Sequence, residues 1–123
     1  MKILIDTHIF LWSLGNTKKL SKERLLELKT QTNIIYVSSI SIAELMIKSS
    51  IGKLKVDYNP VEMAKESGFE LLNFTANDAL FLEQLPFHHR DPFDRMLICQ
   101  GKVNNMRIMT DDIQFNNYDC KLI

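Results

Sequence analysis

The sequence predicts an α/β protein with a parallel sheet covered by helices on both faces. Three observations lead there. Short apolar, β-branched runs alternate along the chain with longer segments of helical period. The connections between runs are too long for hairpins, and crossovers of that length are right-handed and pair their strands in parallel. No repeat, low-complexity tract or Pro/Gly/Ser-rich linker divides the chain, so the elements are expected to form one domain spanning residues 1–123.

The elements follow in order. KILI (2–5) is the first strand, and THIFLW begins a helix over 7–14. A second helix is expected over 21–30, within a segment that carries Lys18, Lys19, Lys22, Arg24 and Lys29. IIYV (34–37) is the second strand, with helices over 41–50 and 60–67 after it. FELLNF (69–74) is the third, followed by a helix over 75–85. In HHRDPFDRML, Asp91 fits an N-cap and Pro92 the first helical position, which starts a helix over 92–103. RIMT (107–110) and CKLI (120–123) are the fourth and fifth strands, separated by a short turn near 112–117.

Bulk properties exclude several classes. A 46% hydrophobic and 24% charged composition argues against disorder. No apolar run approaches the roughly 20 residues needed to span a bilayer. The apolar start is broken by Asp6 and His8, with no cleavage pattern of a signal peptide after it. Cys99 and Cys120 have no CxxC spacing and read as core residues of a cytoplasmic protein. The net charge is zero, yet residues 1–61 sum to +4 and residues 62–123 to −4. The basic segment holding Lys18, Lys19 and Lys22 is therefore either a solvated helix or one wall of a groove for a polyanion.

Acidic residues recur where the strands of such a sheet end, the edge at which open α/β sheets bind ligands. Asp6 follows KILI, Asp111 and Asp112 follow RIMT, Glu44 lies early in the helix after IIYV, and Asp94 opens another helix. Each has a structural alternative. Asp6 and the Asp111–Asp112 pair could cap helices or turns, and Glu44 could complete a capping box with Ser41. Glu44, however, shares a helical stripe with Ile40, Ile47 and Ile51, and Asp94 with Leu97, Ile98 and Gly101. A carboxylate on an apolar stripe is costly unless paired or bound to a cation, and several together repel one another. An oxygen-only set without Cys or HExxH spacing suits Mg²⁺ or Mn²⁺ better than Zn²⁺. The chemistry that follows is phosphodiester hydrolysis, with the cation activating water and offsetting charge on the leaving oxygen.

The strings LIDTH, SIAEL, DPFDR and MTDD, in that order and spacing, resemble the four acidic motifs of the PIN-domain ribonucleases. DTHIFLW, SSISIAELMIKSSIGKL and LPFHHRDPFDRMLICQ are similar to the VapC-like toxins of bacterial type II toxin–antitoxin pairs. This resemblance covers essentially the whole chain. It implies a three-layer α/β/α sandwich on a five-stranded parallel sheet ordered 3-2-1-4-5. It also implies a metal-dependent endoribonuclease, an RNA substrate, a cognate antitoxin that occludes the site, and a homodimer or toxin–antitoxin hetero-oligomer. The family acids fall on Asp6, Glu44, Asp94 and Asp112, the last because Thr110 and Asp112 fill the pattern Thr, any residue, Asp; either member of the Asp111–Asp112 pair could turn inward. Thr7 and Thr110 are expected to support the site, and Arg95 to contact phosphate or a carboxylate. Lys18, Lys19, Lys22, His89 and Arg90 are expected to meet RNA. A housekeeping RNA-processing nuclease of the same family is the nearest alternative. A phosphoacceptor receiver domain fits less well, because its acceptor would have to end a central strand, and a non-catalytic acidic pocket remains open.

Overall fold

The first strand, β1 (Lys2–Ile5), buries every side chain after its first residue, and successive side chains point to opposite faces. Ile3 and Ile5 enter one core with Ile9, Phe10, Val37, Leu45 and Ala64, whereas Leu4 meets Leu97 and Met106 on the other side. A strand buried on both faces needs two helical layers, and the computed structural model, which describes residues 1–123, supplies them.

After β1 the chain forms α1 (Thr7–Gly15), α2 (Lys22–Lys29), β2 (Ile34–Ser38), α3 (Ser39–Ser50), α4 (Pro60–Glu66) and β3 (Glu70–Leu72). It continues through α5 (Ala76–Leu80), α6 (Pro92–Val103) and β4 (Arg107–Met109). All strand pairs are parallel, in the order β3-β2-β1-β4. Residues of α1, α3 and α4 fill the first core. Residues of α6 fill the second, extended by Leu85, Ile108, Phe115 and Tyr118.

The sheet has four strands and not the five expected. The CKLI run reaches β4 only through a single parallel bridge, Ile108 to Leu122, using the Ile108 N–H to Lys121 and the Ile123 N–H to Ile108. A ladder needs consecutive bridges, and β4 is three residues long, ending where Thr110 turns away. The helix expected over 75–85 also divides. A Thr75–Asp78 capping box starts α5, and a 3-10 turn follows over Phe81–Gln84. The basic segment divides likewise into a 3-10 turn at Thr17–Lys19 and α2, which Ser21 caps. Of the apolar residues that could have formed a dimer surface, Met106 is core, and Met63 and Phe81 are half-buried.

One glycine sets the approach of α6 to β4. A Cβ at Gly101 would lie 2.7 Å from Ile108 Cδ1 and 2.8 Å from its Cγ1, and Ile108 is fully buried. Overpacking of this kind costs about 1–3 kcal/mol, offset by up to about 1 kcal/mol from the better helix propensity of alanine. Gly101→Ala should therefore lower the urea midpoint at an unchanged m value, and adding Ile108→Val should recover part of the loss.

Candidate metal centre

Three N-terminal helical turns meet at the carboxyl edge of the sheet, each begun by an acid. Asp6 caps α1, with Oδ1 accepting the Ile9 N–H at 2.8 Å. Asp91 caps α6 by accepting from Phe93 and Asp94, with Pro92 in the first turn as its sequence suggests. Asp112 caps the last 3-10 turn (Ile113–Asn117) through the Gln114 N–H. Capping and site chemistry are thus compatible, since each carboxylate has a second oxygen or a neighbour free to face the edge.

Thr110 fastens two of these caps together. Its hydroxyl donates to Asp6 Oδ2 at 2.5 Å and accepts from the Asp112 N–H at 3.0 Å. The Asp6 N–H bonds the Met109 carbonyl, so the ends of β1 and β4 are locked side by side. Asp6 is only 4% exposed, and this burial raises its pKa above the ordinary range, against the hydrogen bonds from Thr110 and Ile9.

Asp112 and Asp94 are drawn to one point by an imidazole. His89 Nε2 lies 2.8 Å from Asp94 Oδ2 and 3.3 Å from Asp112 Oδ2. One donor atom from each of the three fits within 4.8 Å of the others, a spacing that a single cation can span. Burial, then the charge of Asp91, pushes the Asp94 carboxyl up to about 6, with His89 opposing. Asp6 adds to that rise and Asp112 acts the same way on Asp6, so the three aspartates share one field. The donor chemistry fits a divalent cation, which would offset the repulsion among these carboxylates.

Glu44 stands beside this group with its own partners. Its side chain is almost fully buried; Oε1 accepts from the Thr7 hydroxyl at 2.7 Å, and Oε2 pairs with Lys48 Nζ at 2.7 Å. Thr7 also lies 2.9 Å from Ser41 Oγ. Glu44 raises the pKa of Lys48, which also feels Asp91 and Asp94. A capping box with Ser41 is excluded, because α3 starts at Ser39 with Ser38 as its cap. The apolar stripe is also not the cause of the burial: Ile47 and Ile51 are 49% and 60% exposed.

The remaining candidates separate. Asp111 points outward to Arg24, whose Nη1 is 2.9 Å away and whose Nη2 donates to the Thr110 carbonyl at 2.7 Å. Arg95 does not reach a carboxylate. It donates to the carbonyls of Leu85 and Pro86, lies 3.3 Å from the Tyr118 hydroxyl and stacks on Phe87, so it shapes the loop before α6. Lys18, Lys19, Lys22 and Arg90 are exposed and make no ion pair with the acids, with Lys19 Nζ 5.6 Å from the Trp12 ring. His89 belongs to the acid cluster, which therefore offers a nitrogen as well as oxygens. Sequence reasoning missed Lys48, although its i+4 spacing from Glu44 is the ordinary signal for a helical ion pair. It also missed Tyr118, whose hydroxyl accepts from the amides of both His88 and His89.

The sequence profile of the PIN domain matches residues 3–121. The chain belongs to the PIN-domain family. Its fold is similar to VapBC2 from Rickettsia felis, solved bound to a DNA fragment from its promoter, at 21% identity and a TM-score of 0.75, over 100% of this chain and 98% of that one. DNA-bound VapBC from Salmonella typhimurium aligns at 17% identity and a TM-score of 0.68, over 100% and 97%. VapBC-5 of Mycobacterium tuberculosis, a member of the VapBC family of toxin–antitoxin systems, aligns at 15% and 0.63, over 99% and 95%. A comparison with curated proteins gives no match. No helix of this PIN domain is long and apolar enough to cross a membrane.

Proposed function

We propose that this chain is a divalent-cation-dependent endoribonuclease that acts in the bacterial cytoplasm as the toxin of a type II toxin–antitoxin pair. The observation that carries the proposal is the meeting of Asp94, Asp112 and His89 beside Asp6 and Glu44, at the sheet edge of a PIN domain. Asp6, Glu44, Asp94 and Asp112 would hold Mg²⁺ or Mn²⁺, with His89 as a further donor. When bound, the cation supplies Lewis-acid activation and charge neutralisation for hydrolysis of an RNA phosphodiester. The chain's own residues do the positioning. Thr110 fixes Asp6, Thr7 and Lys48 fix Glu44, and His89 joins Asp94 to Asp112. The antitoxin, as partner in a hetero-oligomer or bound to a toxin homodimer, would cover this edge.

The purified protein should cut RNA with Mg²⁺ or Mn²⁺ and stop in excess EDTA; undiminished cutting in EDTA after repurification would refute the metal assignment. Expression alone should arrest bacterial growth, and Asp6→Asn should relieve the arrest at an equal protein level. Arrest by that variant would show that the toxicity is not nucleolytic.

A further inference from the structure

Beside Asp6 lies a pocket of about 270 Å³ lined by Asp6, His8, Trp12, Asp111 and Asp112. Its aromatic wall has no part in holding a cation. His8 and Trp12 occupy i and i+4 positions on α1, with ring centroids 6.0 Å apart and planes inclined by 37°. His8 is exposed and Trp12 half-buried, so the helix begun by Asp6 presents both rings at the site's rim. Over the same indole, Lys19 Nζ sits 5.6 Å from the ring centroid, in a segment that also exposes Lys18 and Lys22.

We propose that His8 and Trp12 form a stacking subsite for one unpaired base of single-stranded RNA, next to the phosphate held at the acid cluster. The reasoning is by charge and shape. Three carboxylates line the pocket, so a phosphate is repelled from it unless a cation intervenes, whereas a neutral planar base meets the aromatic wall without that cost. At slightly under 300 Å³, the low end of ligand-pocket volumes, the space suits one base and not an oligonucleotide. Lys19 then stands where an adjoining phosphate needs positive charge, and aromatic stacking tolerates any base because each has a π-face. The subsite rests on the nuclease reading for its substrate but is tested by binding alone.

Trp12 is the sole tryptophan, so its emission reports directly on the pocket. The measurement uses the Asp94→Asn chain with excess Ca²⁺, which offsets the charge of the remaining carboxylates while the substitution keeps RNA intact. The probes are a ribo-tetranucleotide and the same backbone with abasic riboses. The tetranucleotide should quench Trp12 saturably, and the abasic strand should bind roughly five- to a hundredfold more weakly without quenching. By anisotropy of a labelled strand, Trp12→Leu should weaken binding by a similar factor, with Trp12→Phe recovering most of it. Equal affinity for the two strands, or RNA binding without quenching, overturns the subsite, and this comparison stands even if Trp12→Leu fails to fold. Cleavage by the wild type with Mn²⁺ is scored separately: RNA cut without quenching overturns the subsite alone, and neither cutting nor binding overturns both readings.

Discussion

Asp94→Asn should leave the metal-free protein at least as stable as wild type and abolish most of the stabilisation that Mg²⁺ or Mn²⁺ confers. Without metal, Asp94 is a half-buried carboxyl among Asp91, Asp6 and Asp112, and its pKa of about 6 expresses that unfavourable setting. Asparagine is nearly isosteric, keeps an oxygen for His89 and removes the charge. If Asp94 acted only as part of the first turn of α6, losing its charge would cost about 1 kcal/mol or less with or without metal. As a ligand it has the opposite signature. The wild type gains about 2.7 kcal/mol at a hundredfold excess over Kd, and the variant should lose most of this gain along with RNA cleavage. Thermal melts across a metal titration at fixed ionic strength should show the two stability orders crossing. Curves that stay parallel would leave Asp94 a structural residue.

Acidification should release the metal and, in its absence, stabilise the fold. In the proposed site a cation would need the Asp94 carboxylate, and with a pKa of about 6 that group is mostly protonated at pH 5. Proton competition at this one site weakens metal binding about tenfold between pH 7.5 and 5, and the raised pKa of Asp6 adds to it. Titration calorimetry in buffers of differing ionisation enthalpy should register protons released on binding near pH 6. The apo protein responds in the other direction. Its native state retains a proton that the unfolded chain, with an ordinary value of 3.8, has already lost, so stability falls as pH rises between about 4 and 6 and levels off above. Allowing for solvent screening of a half-buried group, the drop is about 1–2 kcal/mol, and Asp94→Asn should flatten it. A wild-type apo protein whose stability rises across that window would contradict the placement of Asp94 among like charges.

What the sequence made legible was the framework. Period and spacing place β1, β2, β4 and α6 within a residue or so, and because acids follow strands, their arrival at one edge is legible in the sequence. Glu44 came out buried for a reason the sequence argument did not give: the helical stripe is open at Ile47 and Ile51, and what buries the carboxylate is its bonding to Thr7 and Lys48. His89 was expected to meet RNA; its place between Asp94 and Asp112 was out of reach, because it sits on a loop, where periodicity says nothing about direction. The absent fifth strand has a related cause. CKLI has strand-like composition, but the number of bridges is set by its partner's length, and β4 is short. Asp111 and Asp112 are chemically identical neighbours, told apart by their partners: Arg24 for Asp111, and His89 with the Gln114 amide for Asp112.

The bond from Thr110 to Asp6 spans 104 positions, and Tyr118 holds the His88 and His89 amides from 30 and 29 positions away. On the ribosome, these acids therefore emerge long before the residues that orient them. Contacts of such sequence separation form only after the intervening chain has been ordered. A nascent chain carries Asp6, Glu44 and Asp94 as unassembled carboxylates until the segment around Thr110 and Tyr118 has cleared the exit tunnel. Order of synthesis thus bears on assembly: the carboxylates that would hold a cation stay apart until the segment that orients them has joined the fold.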